Sequence, residues 1–166
     1  MKMRSKLTTA VIAVVIALVA RRAGAIERRP FPAFQLAALD GAAVASPQLA
    51  VDGQWLFVYV APGCASCDRL LASFKAWQTS DLLARTVIVV GGTTDGAAAY
   101  LGASLPPEVS AIRSYADPLG SAWTALELTG TPMIIGVKDG TIRWSISGVL
   151  NDPRALESAV KTWVGQ

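Results

Sequence analysis

Cys64 and Cys67 are the only cysteines in this chain of 166 residues, and Ala65 and Ser66 separate them. They follow the apolar run Trp55–Ala61 and precede a helical pattern over Asp68–Trp77, in which Leu70, Leu71, Phe74 and Trp77 recur at helical spacing. Two thiols at a strand-to-helix junction suit thiol–disulfide exchange. The first would stand at a helix N-terminus, where unpaired N–H groups and the helix dipole stabilise a thiolate. A bridge closing so short a loop removes little unfolded-state entropy, so a purely bracing disulfide would stabilise weakly there.

The chain contains no histidine, which narrows the chemistry. Structural zinc sites draw on four Cys or His ligands, and iron–sulfur clusters on four thiolates. Covalent haem attachment needs His after the second cysteine, where this chain has Asp68. Ser–His and Cys–His catalysis are excluded. Two bare thiolates can still carry Cu(I). A membrane-tethered binding or Cu(I)-carrier module without exchange activity is therefore the alternative reading. Otherwise no metal and no cofactor beyond the dithiol is expected.

The elements that must hold the dithiol follow from the rest of the pattern. Phe34–Leu36 and Ala42–Val44 flank Asp40-Gly41, a hairpin-turn signal. Trp55–Ala61 and Thr86–Val90 read as buried strands, the latter ended by Gly91-Gly92. A short helix is expected over Asp95–Gly102, a strand over Ile112–Tyr115, and a helix from Asp117-Pro118 to about Leu126. Gly130-Thr131-Pro132 precedes a strand at Met133–Val137. Asp139-Gly140 turns it into an alternating strand at Thr141–Ser147. Asp152-Pro153 supplies an N-cap and a first-turn proline for a terminal helix, Pro153–Val164. This order argues an α/β sandwich with a mixed sheet.

Charge divides the chain. Residues 1–25 carry Lys2, Arg4, Lys6, Arg21 and Arg22 and no acid. The remaining ten basic residues face twelve acidic ones, a net of −2. The folded part thus lacks the basic patch that nucleic-acid binding needs. Leu7–Ala20 is an uncharged apolar run. Its length suits a signal-peptide core better than a full membrane span. Residues 1–25 are read as a signal peptide or N-terminal membrane anchor, 26–33 as a linker, and 34–166 as one domain. Export to the periplasmic side of the inner membrane is expected, because a dithiol behind such a segment has a use in an oxidising compartment.

These pieces, in this order, resemble the thioredoxin superfamily, and within it the exported TlpA/ResA-like branch. Pro32–Leu36 with Leu39-Asp40-Gly41 resembles that branch's opening hairpin. Trp55–Ala61 with Cys64–Cys67 resembles its active-site strand and helix, and Gly130-Thr131-Pro132 its cis proline. Gly148–Asn151 followed by Arg154–Ser158, and Ala61–Cys64 with Leu70-Leu71, are similar to the methylamine-utilisation accessory (MauD-like) subgroup. The resemblance implies a thioredoxin-like fold: a central mixed sheet flanked by helices, with an N-terminal β-hairpin extension. It implies Cys64 as exposed nucleophile and Cys67 as buried resolving thiol. Thr131, Pro132, Pro62 and Gly63 would form the substrate-binding surface. Its partners would be protein thiols and disulfides of the periplasm and a membrane thiol donor, with the protein acting as a reductase. The chain departs from the family in three respects. Gly63 stands where Trp is common, no proline lies between the cysteines, and Val58 and Leu70 occupy the places of a buried carboxylate. Water is then the expected proton acceptor for Cys67.

Overall fold

The computed structural model describes residues 28–49, 53–77, 82–148 and 153–164. The signal peptide or anchor expected over 1–25 lies outside the described residues, as does the expected cap Asp152. Among the described residues no helix is long and apolar enough to cross a membrane.

One eight-stranded mixed sheet organises the chain. Its strands are β1 (Arg29–Pro30), β2 (Gln35–Ala38), β3 (Ala43–Ala45), β4 (Gln54–Val60), β5 (Thr86–Gly91), β6 (Arg113–Asp117), β7 (Met133–Lys138) and β8 (Thr141–Ser147), in the spatial order β1-β8-β7-β4-β5-β6-β2-β3. β4, β5 and β6 run parallel, and every other neighbouring pair is antiparallel. The helices are α1 (Ala65–Ser73), α2 (Thr94–Ser104), α3 (Ser121–Ala125) and α4 (Pro153–Val164).

β4 is the centre of the sheet, and all seven of its residues are buried. A strand covered on both faces is apolar along most of its length, which is why Trp55–Val60 run without alternation after Gln54. Its side chains still divide by period two. Leu56, Val58 and Val60 join Cys67, Leu70, Leu71 and Phe74 of the α1 region, Ala97 and Leu101 of α2, and Val160 of α4. Trp55, Phe57 and Tyr59 join Phe34, Leu36, Leu49, Met133, Ile135 and, from α3, Ala122 on the other face. Burying Phe57 and Phe74 each stabilises the fold by roughly 1.5–3 kcal/mol.

The expected elements are present, with shifted ends. α1 starts at Ala65 with Cys64 as its N-cap, as expected of the first cysteine, ahead of the apolar pattern over Asp68–Trp77. It ends at Ser73 and passes into a 3-10 turn over Phe74–Trp77. The hairpin forms with Gly41 at φ 90° and the Asp40 carboxylate accepting from Ala42 N–H at 3.0 Å. Asp139 and Gly140 both take positive φ, 51° and 68°, as mirror-image hairpin turns require. Within the segment expected as a linker, Arg29–Pro30 instead pair with Ile142 and Thr141 of β8, and Phe31 meets Phe34, Trp55 and Phe57 edge-on. Proline and charge disfavour helix there but not an edge strand.

The expectation that Asp117-Pro118 starts a helix is corrected. Asp117 ends β6, paired with Gly91, and α3 begins only at Ser121. Gly120 at the N-cap is left-handed and has no capping side chain. The Asp117 carboxylate reaches forward to do that work, accepting from Ser121 N–H at 2.8 Å and Trp123 N–H at 3.1 Å.

Candidate active site

The C-terminal ends of the parallel strands β4, β5 and β6 lie on one side of the sheet, and antiparallel β7 starts there, Met133 being opposite Tyr59. Strand direction alone therefore brings Pro62–Cys67 and Thr131–Pro132 together, although they are far apart in sequence.

Cys64 and Cys67 are joined as a disulfide. Cys64 is the N-cap of α1, in extended conformation. Its sulfur accepts from Cys67 N–H at 3.1 Å, and its carbonyl accepts from Cys67 and Asp68 N–H at 2.8 and 3.1 Å. A sulfur in this place faces the unpaired N–H groups of a nine-residue helix, an environment that favours the thiolate once the bridge opens. The two sulfurs differ in access. Cys67 is fully buried against Val58 and Leu70, whereas Cys64 is half-buried at the rim.

Across the site, the Thr131–Pro132 bond is cis, as the sequence resemblance implies. The Thr131 carbonyl oxygen lies 3.6 Å from the Cys64 sulfur. The Pro132 carbonyl accepts from Gly148 N–H at 2.8 Å, which fastens this loop to the end of β8. Thr131 is half-buried and Pro132 buried, while Pro62 and Gly63 are exposed. All six residues singled out from the sequence thus gather at one end of the sheet. Gly63 takes φ 77°, a left-handed conformation that L side chains rarely adopt, and nothing lies within 4 Å of where its Cβ would be. The flank of Cys64 is open as a result.

Beneath the dithiol the packing is apolar. Val58 and Leu70, at 0% and 2% exposure, belong to the same buried cluster as Cys67. Asp68 points to the surface and accepts from the Tyr100 hydroxyl at 2.8 Å. Among the described residues no group of three or more Cys, His, Asp or Glu side chains converges on a possible metal position.

A buried acid is nonetheless present, and sequence reading missed it. Asp117 is 2% exposed and accepts from the Tyr59 hydroxyl at 3.1 Å. Tyr59 belongs to the face opposite α1, so this carboxylate is separated from Cys67 by the sheet. Burial, then the Asp117 carboxylate, push the Tyr59 phenol far above its ordinary pKa. No local signal identifies this acid: β6 reads Arg-Ser-Tyr-Ala-Asp, and Asp117 is buried through its pairing with Gly91 and its bonds to Ser121 and Trp123.

No family model and no curated protein matches the sequence. Solved structures do match. A Chlorobium tepidum protein assigned as a thiol:disulfide interchange protein DsbE superposes with a TM-score of 0.66 at 18% identity, over 82% of this chain and 96% of its own. The dsbF protein of MTB gives 0.64 at 19%, over 78% and 94%. A secreted Mycobacterium tuberculosis disulfide oxidoreductase homologous to E. coli DsbE gives 0.62 at 14%, over 78% and 95%. The fold is thioredoxin-like, with a mixed sheet flanked by helices and strands added at its N-terminal end.

Proposed function

We propose that this protein is an exported thiol–disulfide oxidoreductase that reduces disulfides in other proteins through Cys64 and Cys67. One observation carries the reading: a half-buried sulfur caps a helix, is bridged to a fully buried one, and faces the carbonyl of a residue preceding a cis proline. The similarity in fold to thiol:disulfide interchange proteins, one of them secreted, supports the chemistry and the compartment. The uncharged run Leu7–Ala20 behind a basic start supports export. The TlpA/ResA-like resemblance supports the reducing direction and a membrane thiol donor, and MauD-like features make an accessory role towards one protein partner the narrower form of the proposal.

In the reducing direction the Cys64 thiolate attacks one sulfur of the partner's disulfide. That bond breaks, a Cys64–partner disulfide forms, and the partner's other sulfur leaves as a thiolate. The Cys67 thiolate then attacks the Cys64 sulfur. The intramolecular bridge forms and the second partner sulfur leaves. Two electrons have passed to the partner, whose thiolates take up two protons. The N-cap position lowers the cost of the Cys64 thiolate, and burial restrains Cys67 until the mixed disulfide is in place. Thr131 offers backbone to an extended substrate segment, and Pro132 presents no N–H to compete. Water serves as proton acceptor for Cys67, since its surroundings are apolar.

Trapping with a membrane-impermeant maleimide in intact cells tests compartment and redox state together. The expected result, without prior reduction, is labelling of Cys64 in the intact cells and of buried Cys67 once the treated cells are denatured in the same reagent. Insulin reduction by the purified protein should fall below about one-thousandth in Cys64→Ser, while Cys67→Ser should accumulate the mixed disulfide. An oxidised pair in cells sinks the reducing direction, and full activity in Cys64→Ser sinks the function.

A further inference from the structure

Granting the exchange function proposed above, we infer that Leu119 is a docking residue for the protein substrate. It would receive a large apolar side chain that lies about three to five residues from the partner's reacting cysteine, on an extended and uncharged segment.

The ground around the dithiol is built from loop ends. Because β4, β5 and β6 are parallel neighbours, the loops after them leave the sheet at one end. Val60 is opposite Val90, Gly91 is opposite Asp117, and Gly92 N–H donates to the Asp117 carbonyl at 3.3 Å. Each loop carries a left-handed glycine: Gly63 at φ 77°, Gly92 at 114° and Gly120 at 65°. None of the three has a heavy atom within 4 Å of its would-be Cβ. A partner's backbone can therefore come close along the whole row. Segments 61–67, 91–94, 118–126 and 128–137 contain no charged residue, and the charges that border them along this row, Asp68, Asp95, Asp117 and Glu127, are acidic.

Leu119 stands at the far end of that row with 88% of its surface exposed. A lone exposed leucine is ordinary on a protein surface. This one is singled out by position and by how firmly its loop is held. The other large apolar side chain exposed among the described residues, Leu39 at 36%, follows β2, whose antiparallel pairing with β6 puts it at the opposite end of the sheet. The turn bearing Leu119 is closed by Gly120 N–H to the Asp117 carbonyl at 3.3 Å, and it enters α3 under the two N–H bonds to the Asp117 carboxylate. A contact made from a loop already fixed loses little ordering entropy on binding. β4 and β6 are two strand spacings apart, about 10 Å, which an extended segment covers in about three residues. Cys64 caps a helix on one face of the sheet and Leu119 leads into a helix on the other, which lengthens the path. With the partner's sulfur at Cys64, a residue about three to five positions away therefore reaches Leu119. An apolar residue there buries itself and Leu119 together, whereas a charged one would be desolvated without a counter-charge.

Short extended peptides carrying one cysteine as the mixed disulfide with glutathione test the assignment, with Leu or Glu placed three, four or five residues to either side. At one of these spacings the wild-type protein should reduce the Leu peptide about tenfold faster, in kcat/KM, than the Glu peptide. In Leu119→Ser that ratio should fall to about one, whereas Leu39→Ser should keep it. A ratio that survives in Leu119→Ser, or that falls equally in Leu39→Ser, overturns the assignment. So does an equal slowing of oxidised glutathione by Leu119→Ser, because that substrate is too small to span both positions. A wild-type protein that reduces none of these disulfides overturns instead the exchange function on which the docking role depends.

Discussion

Two tyrosine–aspartate hydrogen bonds lie on opposite sides of the sheet, and they differ in every respect but their chemistry. Tyr59 donates to Asp117 at 3.1 Å between buried groups, while Tyr100 donates to Asp68 at 2.8 Å at the surface. The longer bond is the more consequential. Asp117 is 2% exposed and also accepts from Ser121 N–H, Ser121 Oγ and Trp123 N–H. Removing such a group strands buried donors, each at the cost of its lost hydration. Asp68 needs none of this, since water replaces the phenol. Distance ranks the two bonds one way, and burial with donor count ranks them the other.

That contrast can be broken at four points. The largest effect should come from Val58→Asp, which puts a carboxylate under Cys67 where no donor waits. At neutral pH it should cost roughly 3–5 kcal/mol in urea unfolding. Burial raises the folded-state pKa of such a carboxyl, so the loss should grow with pH above the unfolded value near 4 and shrink in acid. A neutral effect would mean that the face beneath the dithiol is wetter than its packing indicates. Asp117→Ala should come next, at about 3 kcal/mol, for the loss of the two cap bonds from Ser121 and Trp123 N–H and of the buried Tyr59 hydrogen bond. A shift in the unfolding midpoint worth less than about 1 kcal/mol would put the buried pair on a level with the exposed one.

Tyr59→Phe keeps the ring and its edge-on contact with Trp123, 5.6 Å between centroids, and removes only the hydroxyl. About 1 kcal/mol is expected. Its alkaline signature is more specific. Burial, then the neighbouring aspartate, raise the pKa of both tyrosines above the usual value. Unfolded tyrosine ionises near pH 10, so above that the folded state holds more protons than the unfolded state, and stability falls as pH rises. Below pH 10 their contribution is complete. Tyr59→Phe should flatten this alkaline loss more than Tyr100→Phe, because Tyr59 is buried whereas Tyr100 is partly exposed and solvent can relieve its ionised form. Tyr100→Phe should be the smallest change at neutral pH, within about 0.5 kcal/mol. A reversed order of the two phenylalanine variants in alkaline melts would refute the contrast.

Most of the scaffold is legible from short-range pattern. The buried strands announce themselves by length and β-branched content, and the two hairpins by Asp-Gly. The dithiol is visible because cysteine is so rare here. Pairing across the sheet is less legible. Asp117 reads as a helix start because Asp-Pro has that local meaning, yet it is spent in the ladder with Gly91. Gly91-Gly92 reads as a strand terminator. Gly91 is itself in the strand, and a Cβ there would sit 2.9 Å from the Tyr59 hydroxyl. Its reason is a neighbour thirty-two positions away in sequence. Likewise Arg29–Pro30 carry no local mark of a strand and acquire one only through β8.

Gly136 makes the same point on the face beneath α1, where its missing side chain leaves room for the Trp144 indole. That ring in turn meets Trp163 of α4 at 85° and 5.9 Å. The terminal helix is therefore seated by an orthogonal indole pair, while Trp123 sits beside Tyr59 on the other face. The molecule carries its own optical reporters. Near-ultraviolet circular dichroism should sense whether α4 stays in place when the Cys64–Cys67 bridge is opened, and the emission of a Trp123-only variant should follow α3 separately.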